Sequence, residues 1–232
     1  MKTDLGLFGR FVTIVIRWLF RILCRIKEEG SERLPDHGPC IVVVNHINFL
    51  EVPIIYPFMY PRLTSSLVKK ETWENPFLGR LATLWNGIPI RRDTADFTAL
   101  RTAEKRLREG HILMVAPEGT RSYDGRMGPG NPGVVILALR AGVPILPIVH
   151  YGGERFWYNL KRFKRTPVTL KVGRPFRIEA PEGRVTSTVR RAIVDEMMEY
   201  MAALVPEYYR GNYTGRADRN FIYLRTTEFK DG

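Results

Sequence analysis

Cysteine is almost missing from this chain: 232 residues contain only Cys24 and Cys40. Two isolated cysteines give neither a disulfide framework nor a metal-ligand spacing. Both lie in apolar segments, which fits reduced thiols and a cytoplasmic setting. Histidine is nearly as sparse. His37, His46, His111 and His150 are scattered, with no His-Glu-x-x-His and no Cys/His cluster, so no metal is expected. Acidic residues are outnumbered, 24 against 36 basic, and the formal net charge is +12. A surface of that sign attracts an anion: nucleic acid, acidic lipid, a phosphorylated substrate or an acidic carrier protein. Signatures of helix-turn-helix, zinc-finger and RNA-recognition modules are absent, and the aromatics gather in an apolar helix rather than on a stacking platform, which argues against nucleic acid. What remains is the composition of an ordinary folded chain, 44% hydrophobic and 26% charged, long enough for one sizeable core.

A long hydrophobic run is also missing where one might be sought, near the N-terminus. Between Arg10 and Arg17 only six uncharged residues stand together, whereas a spanning helix needs roughly 20. Residues 5–26 instead predict an amphipathic helix. At about 100° per residue, Arg10, Arg17 and Arg21 fall within about 40° of one another and Arg25 extends the stripe. Phe11, Val12, Val15, Ile16, Trp18, Leu19, Ile22, Leu23 and Ile26 cover most of the rest. A wide apolar face, a narrow arginine stripe and a tryptophan describe a helix lying in a membrane interface. The competing readings are a signal peptide, which the interrupting arginines and the lack of a cleavage site oppose, and a helix packed on the domain. The sequence thus divides into an N-terminal membrane-associating helix, 1–30, and a single domain, 31–232.

Within that domain, short β-branched runs alternate with helical periods. Strands are expected at 40–44, 63–69, 87–93, 111–116, 143–149 and 167–172. The prolines of 143–149 suggest an edge or a terminus. Helices are expected at 52–60, 74–85, 94–109, 134–141 and about 185–204. The tail from 205 has no clear assignment. The alternation predicts an α/β fold, one domain with a mostly parallel sheet flanked by helices.

The chemistry concentrates after the first strand. Cys40-Ile41-Val42-Val43-Val44 runs into Asn45-His46-Ile47-Asn48-Phe49-Leu50-Glu51. A histidine at the end of a buried strand stands where open α/β sheets bind ligands. On a continuous helix, residues five apart would point about 140° away from each other. For Glu51 to reach His46, the intervening chain must turn into a helix, with Asn48 a plausible cap and Pro53 in the first turns. The pair would act as a general base: the carboxylate fixes the tautomer and stabilises the imidazolium while the other ring nitrogen takes a hydroxyl proton. Further on, Pro117-Glu118-Gly119-Thr120-Arg121-Ser122 follows another buried strand and offers amides, hydroxyls and a guanidinium, the parts of an anion site. Lys161-Arg162-Phe163-Lys164-Arg165 reads as either a solvated loop or an anionic docking patch.

These segments, in this order, resemble the glycerolipid acyltransferase family, the 1-acylglycerol-3-phosphate acyltransferases and their lysophospholipid relatives. The resemblance covers about residues 35–180. Asn45-His46-x-Asn48-x-x-Glu51 is similar to the family's Asn-His-x-Ser-x-x-Asp, Ile88-Pro89-Ile90-Arg91-Arg92 to its second motif, and the segments 117–122 and 143–148 to its third and fourth. Three departures stand out: Glu51 for Asp, Asn48 for Ser, and Asn131 where a lysine is usual. The resemblance implies an O-acyltransferase that moves a fatty acyl group from acyl-CoA or acyl carrier protein to the free hydroxyl of a lysophospholipid, 1-acyl-sn-glycerol-3-phosphate being the leading acceptor. Another lipid acceptor, or a degenerate membrane-bound member, are the alternatives. His46 and Glu51 would be catalytic. Arg92, Gly119 and Arg121 would bind substrate, with Glu118 and Thr120 contacting the glycerol or organising the loop. No cofactor beyond the thioester co-substrate is implied. The expected partners are an anionic membrane surface, the acceptor and the donor, with no nucleic acid. The expected place is the cytoplasmic face of the cell membrane.

Overall fold

The computed structural model describes residues 5–91, 96–181, 185–216 and 220–229. Its elements are α1 (Gly6–Leu23), β1 (Cys24–Glu29), β2 (Cys40–Val44), α2 (Glu51–Met59), β3 (Thr64–Lys69), α3 (Pro76–Leu84), β4 (Gly87–Ile90), α4 (Phe97–Arg108), β5 (Ile112–Val115), α5 (Gly133–Ala141), β6 (Ile145–Tyr151), α6 (Phe156–Leu160), β7 (Thr166–Val172), β8 (Phe176–Ile178), α7 (Ser187–Ala202) and β9 (Leu224–Thr226). The sheet runs β1-β7-β6-β2-β5-β3-β4, with β8 and β9 added beside β6. From β6 through β4 every pair is parallel; β7 runs antiparallel to β6. All five residues of β2 are buried, the expected state of a central strand covered on both faces. On one face Ile41, Val43, Leu113 and Val149 pack under Ala103, Leu107, Val135 and Ile193 of α4, α5 and α7. On the other, Val42, Val44 and Met114 meet Ile55 and Met59 of α2. The predicted α/β class and mostly parallel sheet are the observed ones.

Three expectations differ. The N-terminal helix stops at Leu23, because Cys24-Arg25-Ile26-Lys27 switches to a period of two and pairs in parallel with Thr166–Thr169. Arg25 therefore belongs to a strand, not to the arginine stripe. β6 is interior rather than an edge. Its Pro147 lies where the outer neighbour changes, between Ile145, which pairs with Phe176, and Ile148, which pairs with Val172. The Pro147 carbonyl accepts from Gly173 on that side, so the missing N–H falls at the break and costs no ladder bond. The unassigned tail forms a strap: Met127 donates to the Tyr209 carbonyl, Asn212 to the Met127 carbonyl, and Gly130 to the Tyr213 hydroxyl.

The orientation of α1 was not expected. Its small and polar residues face inward. Gly9 and Thr13 are buried, a Cβ on Gly9 would press on Leu5 and Leu84, and Trp85 Nε1 donates to the Thr13 hydroxyl at 3.0 Å. Arg17 is half-buried and lines a small cavity with Pro53 and Pro57 of α2, and Arg21 pairs with Glu28 at 3.1 Å. The arginine stripe thus lies along the flank that meets the protein body. The outward arc, roughly 140° wide at 100° per residue, carries Phe8, Phe11, Ile14, Val15, Trp18, Leu19 and Ile22 and no charge. No helix among the described residues is long and apolar enough to cross a membrane.

Candidate active site

The C-terminal ends of β2, β5 and β6 bring three loops together, where an open α/β sheet places its ligands. After β2, Asn45 is clasped to β6: its Nδ2 donates to the His150 carbonyl and its Oδ1 accepts the His150 N–H, each at 2.9 Å. The chain then turns. Asn48 Oδ1 accepts from Leu50 N–H at 2.9 Å, and Asn48 Nδ2 donates to the Gly153 carbonyl at 3.0 Å. Leu50 rather than Asn48 occupies the cap position of α2; Asn48 shapes the turn ahead of it. Glu51 is the first residue of the helix, where the positive end of the dipole favours a carboxylate.

The turn brings His46 and Glu51 together as their spacing required. His46 Nδ1 contacts Glu51 Oε1 directly, so the ring's other nitrogen, Nε2, lies outside that contact. Both residues are almost buried, 8% and 4% exposed. Burial pushes the Glu51 carboxyl up, but His150 and His46 together outweigh it and hold it below its ordinary range. His150 Nε2 lies 3.6 Å from Glu51 Oε2 and 3.1 Å from the Asn45 carbonyl oxygen. His150 thus joins the site from a residue that sequence reasoning left among scattered histidines. The signal was present: it also stands at the end of a buried strand.

The second loop follows β5. Glu118 accepts from His46 N–H at 2.7 Å with one oxygen and from Gly128 N–H at 2.8 Å with the other. These two bonds link the His46 turn to the loop that carries Gly128. Desolvation pushes the Glu118 carboxyl above the ordinary value, against the two backbone donors. Gly119 makes the turn at φ +68°, a left-handed conformation that favours glycine. Ser122 and Tyr123 donate to the His46 and Ile47 carbonyls, so the exposed Thr120 and Arg121 stand immediately beside the His46 turn. Asn131, where the resemblance has lysine, accepts from Gly133 N–H at 2.8 Å beside the start of α5. Arg92 lies outside the described residues.

Phe49 of the His46 turn stacks on Trp157 at 5.3 Å and meets Phe156 edge-on at 5.8 Å, and Phe156 lies 6.2 Å from Phe20 of α1. An aromatic chain therefore connects the His46 turn to the helix with the bare apolar face.

Residues 25–151 match the Acyltransferase family. A 1-acyl-sn-glycerol-3-phosphate acyltransferase of Limnanthes douglasii is 32% identical over 176 residues, 74% of this chain and 61% of its own length. One from Pseudomonas aeruginosa is 29% identical over 196 residues, 82% of this chain and 74% of its own. The chain thus spans about three fifths of the plant relative. The crystal structure of the 1-acyl-sn-glycerophosphate (LPA) acyltransferase PlsC from Thermotoga maritima aligns with a TM-score of 0.58 at 27% identity, covering 82% of this chain and 78% of that one. With the family match running from β1 through β6 and including both members of the buried His–Glu pair, the chain belongs to the Acyltransferase family.

Proposed function

We propose that this protein transfers a fatty acyl group from a thioester, acyl-CoA or acyl carrier protein, to the free hydroxyl of 1-acyl-sn-glycerol-3-phosphate, giving phosphatidic acid. The observation that carries the reading is the buried contact of His46 Nδ1 with Glu51 at the open edge of the sheet. His46 Nε2 removes the hydroxyl proton, and Glu51 stabilises the imidazolium that forms. The alkoxide attacks the thioester carbonyl. Collapse of the tetrahedral adduct forms the ester and expels a thiolate, which recovers the proton from His46. Neither serine nor cysteine occupies a nucleophile elbow, so acyl transfer is direct rather than through an acyl-enzyme. Thr120 and Arg121 border the acceptor, and Arg92 supplies a second phosphate cation. The test is release of free thiol by purified protein given each thioester with a set of lysophospholipids. No release with any acceptor would favour a degenerate scaffold; release with a phosphate-free acceptor alone would move the headgroup assignment.

If Arg121 grips the acceptor phosphate, Arg121→Ala raises the apparent KM for 1-acyl-sn-glycerol-3-phosphate about tenfold, with little change in the donor's KM, because a charge-assisted contact is lost in ground and transition states alike. A selective loss of donor affinity would place Arg121 on the carrier side.

The same reading puts α1 on a membrane surface, at the cytoplasmic face of the cell membrane. Its outward arc holds Phe11, Trp18 and Ile22 at 64%, 64% and 65% exposure, and a bare apolar patch of that size marks a binding surface. With Arg10 and Arg17 half-buried and Arg21 paired with Glu28, apolar burial carries most of the attachment and salt has a small effect. Phe11→Ser with Trp18→Ser and Ile22→Ser is expected to release most of the protein from anionic vesicles in flotation, leave its thermal unfolding unchanged, and spare activity on detergent-dispersed acceptor. Release of the wild type by high salt alone would return the attachment to charge.

A further inference from the structure

The Glu51 carboxylate has two oxygens, and His46 uses one. The other, Oε2, is buried and makes no hydrogen bond. Its ion-pair partner among the described residues is His150, 3.6 Å away. The residue is 1% exposed and is doubly fixed: its ring Nε2 lies against the Asn45 carbonyl at 3.1 Å, and its backbone exchanges two hydrogen bonds with the Asn45 side chain. The ionisable groups that face Glu51 are His46 from the turn after β2, His150 from β6, and Glu118 from the loop after β5. Glu118 adds only like charge. Among the described residues, His150 is therefore the ionisable side chain besides His46 that can stabilise the ionised carboxylate.

Resting on the acyl-transfer reading, we propose that His150 is a positioning residue of the reaction: its Nε2–H, shared between the Asn45 carbonyl and Glu51 Oε2, holds the carboxylate in the plane that presents Oε1 to His46 Nδ1. Glutamate has three side-chain torsions, and a single contact at one oxygen leaves the last of them free. A second contact at Oε2 locks it, and a locked carboxylate keeps His46 in the tautomer that exposes a basic Nε2. The same ring ties down the peptide that joins Asn45 to His46, so the acid partner and the base are held from one point on β6. At 3.6 Å the contact is longer than a hydrogen bond; under this proposal it shortens in the substrate complex, as catalytic hydrogen bonds often do.

Donation to the ionised form lowers a carboxyl's proton affinity. Removing the donor therefore raises the proton affinity of the His46–Glu51 pair, and the acid limb of the kcat profile moves to higher pH. His150→Phe keeps a ring and removes the donor. His150→Asn keeps an amide that stops short of the Nε2 position. His150→Gln places an amide N–H near it. The experiment measures kcat and KM for both substrates across pH in these three variants, the wild type and His46→Ala, with thermal unfolding of each. For Phe and Asn the expected result is a kcat about tenfold lower at neutral pH, an acid limb about one pH unit higher, substantial recovery in alkaline buffer, and KM values within about twofold of wild type. Gln is expected to restore much of the loss. If Phe does not fold, the contrast between Gln and Asn decides. A uniform fall in kcat at every pH, or equal effects of Gln and Asn, would show a purely structural role and overturn the proposal. Wild-type behaviour of Phe or Asn beside an inactive His46→Ala would overturn it while leaving the acyl-transfer reading in place. Full activity of His46→Ala would remove both.

Discussion

Replacing His46 by alanine is expected to lower acyl transfer by about 100- to 10,000-fold, the usual range for removal of a general base, and to leave the fold in place. The backbone at this position is held without the ring. Its N–H goes to Glu118, its carbonyl receives Ser122 N–H, and the preceding residue is clasped to β6. What the substitution removes is one of two imidazoles beside a buried carboxylate, so some loss of thermal stability accompanies the loss of turnover. Circular dichroism melts separate the two effects: a cooperative transition in an inactive protein is the expected pair of results. Turnover within a few-fold of wild type, in a protein that melts normally, would assign proton removal to another group and sink the reading of the pair.

The sequence carried the position of that pair because everything needed was local. Five consecutive apolar residues, mostly β-branched and opened by Gly38-Pro39, read as a buried strand, and a histidine two residues past its end stands at the ligand edge. The spacing to Glu51 then forced a turn into a helix. His150 escaped because its relation to Glu51 is set by the pairing of β2 with β6, and no local period records which strands lie side by side. The strap from Glu207 to Tyr213 escaped for the same reason: its bonds to Met127 and Gly130 join segments about 80 residues apart. α1 shows a different limit. A helical projection separates an arginine stripe from an apolar face but does not say which of them meets the protein. Gly9 and Thr13 decide it, since only small residues let the helix approach Leu84 and Trp85. Its end was misplaced because Ile26 suits a helical face as well as a strand; the pairing with β7 settled the matter.

Glu118 shows how a residue can sit in a functional motif and act through the backbone. Its two oxygens join the His46 peptide to Gly128, and the strap holds the neighbouring Met127 and Gly130. The loop that presents Thr120 and Arg121 is thus fixed from both sides. The backbone around His46 is therefore held by hydrogen bonds from the loop after β5, and Thr120 and Arg121 stand exposed beside it.

The second large effect is expected at Glu51. Glu51→Gln keeps the volume and removes the charge. The amide oxygen can still accept from His46 Nδ1–H, but nothing then stabilises the imidazolium, and the amide nitrogen is forced against the Nε2 of His150 at the place where Oε2 lay. Neutralising the carboxylate of a His–carboxylate pair with its geometry kept lowers turnover by about 10,000-fold in the best-studied case, so a loss of about 1,000-fold or more is expected here, in kcat rather than KM. Glu51→Asp retains the charge on a side chain shorter by one methylene, which cannot span both histidines from the first residue of α2; its activity is expected between those of Gln and wild type. The pH dependence of stability gives an independent check. Glu51 is held below its ordinary value of 4.5 in the folded protein, so the unfolded chain binds its proton more readily. Its contribution to stability is then fully present above about pH 4.5 and is lost as the pH falls through the lower folded value. Glu51→Gln lacks that contribution at every pH. The difference in melting temperature between wild type and Glu51→Gln is therefore expected to be largest at neutral pH and to shrink in acid. A Gln variant with wild-type turnover, or a difference that widens as the pH falls, would mean that the carboxylate is not held ionised by the two histidines.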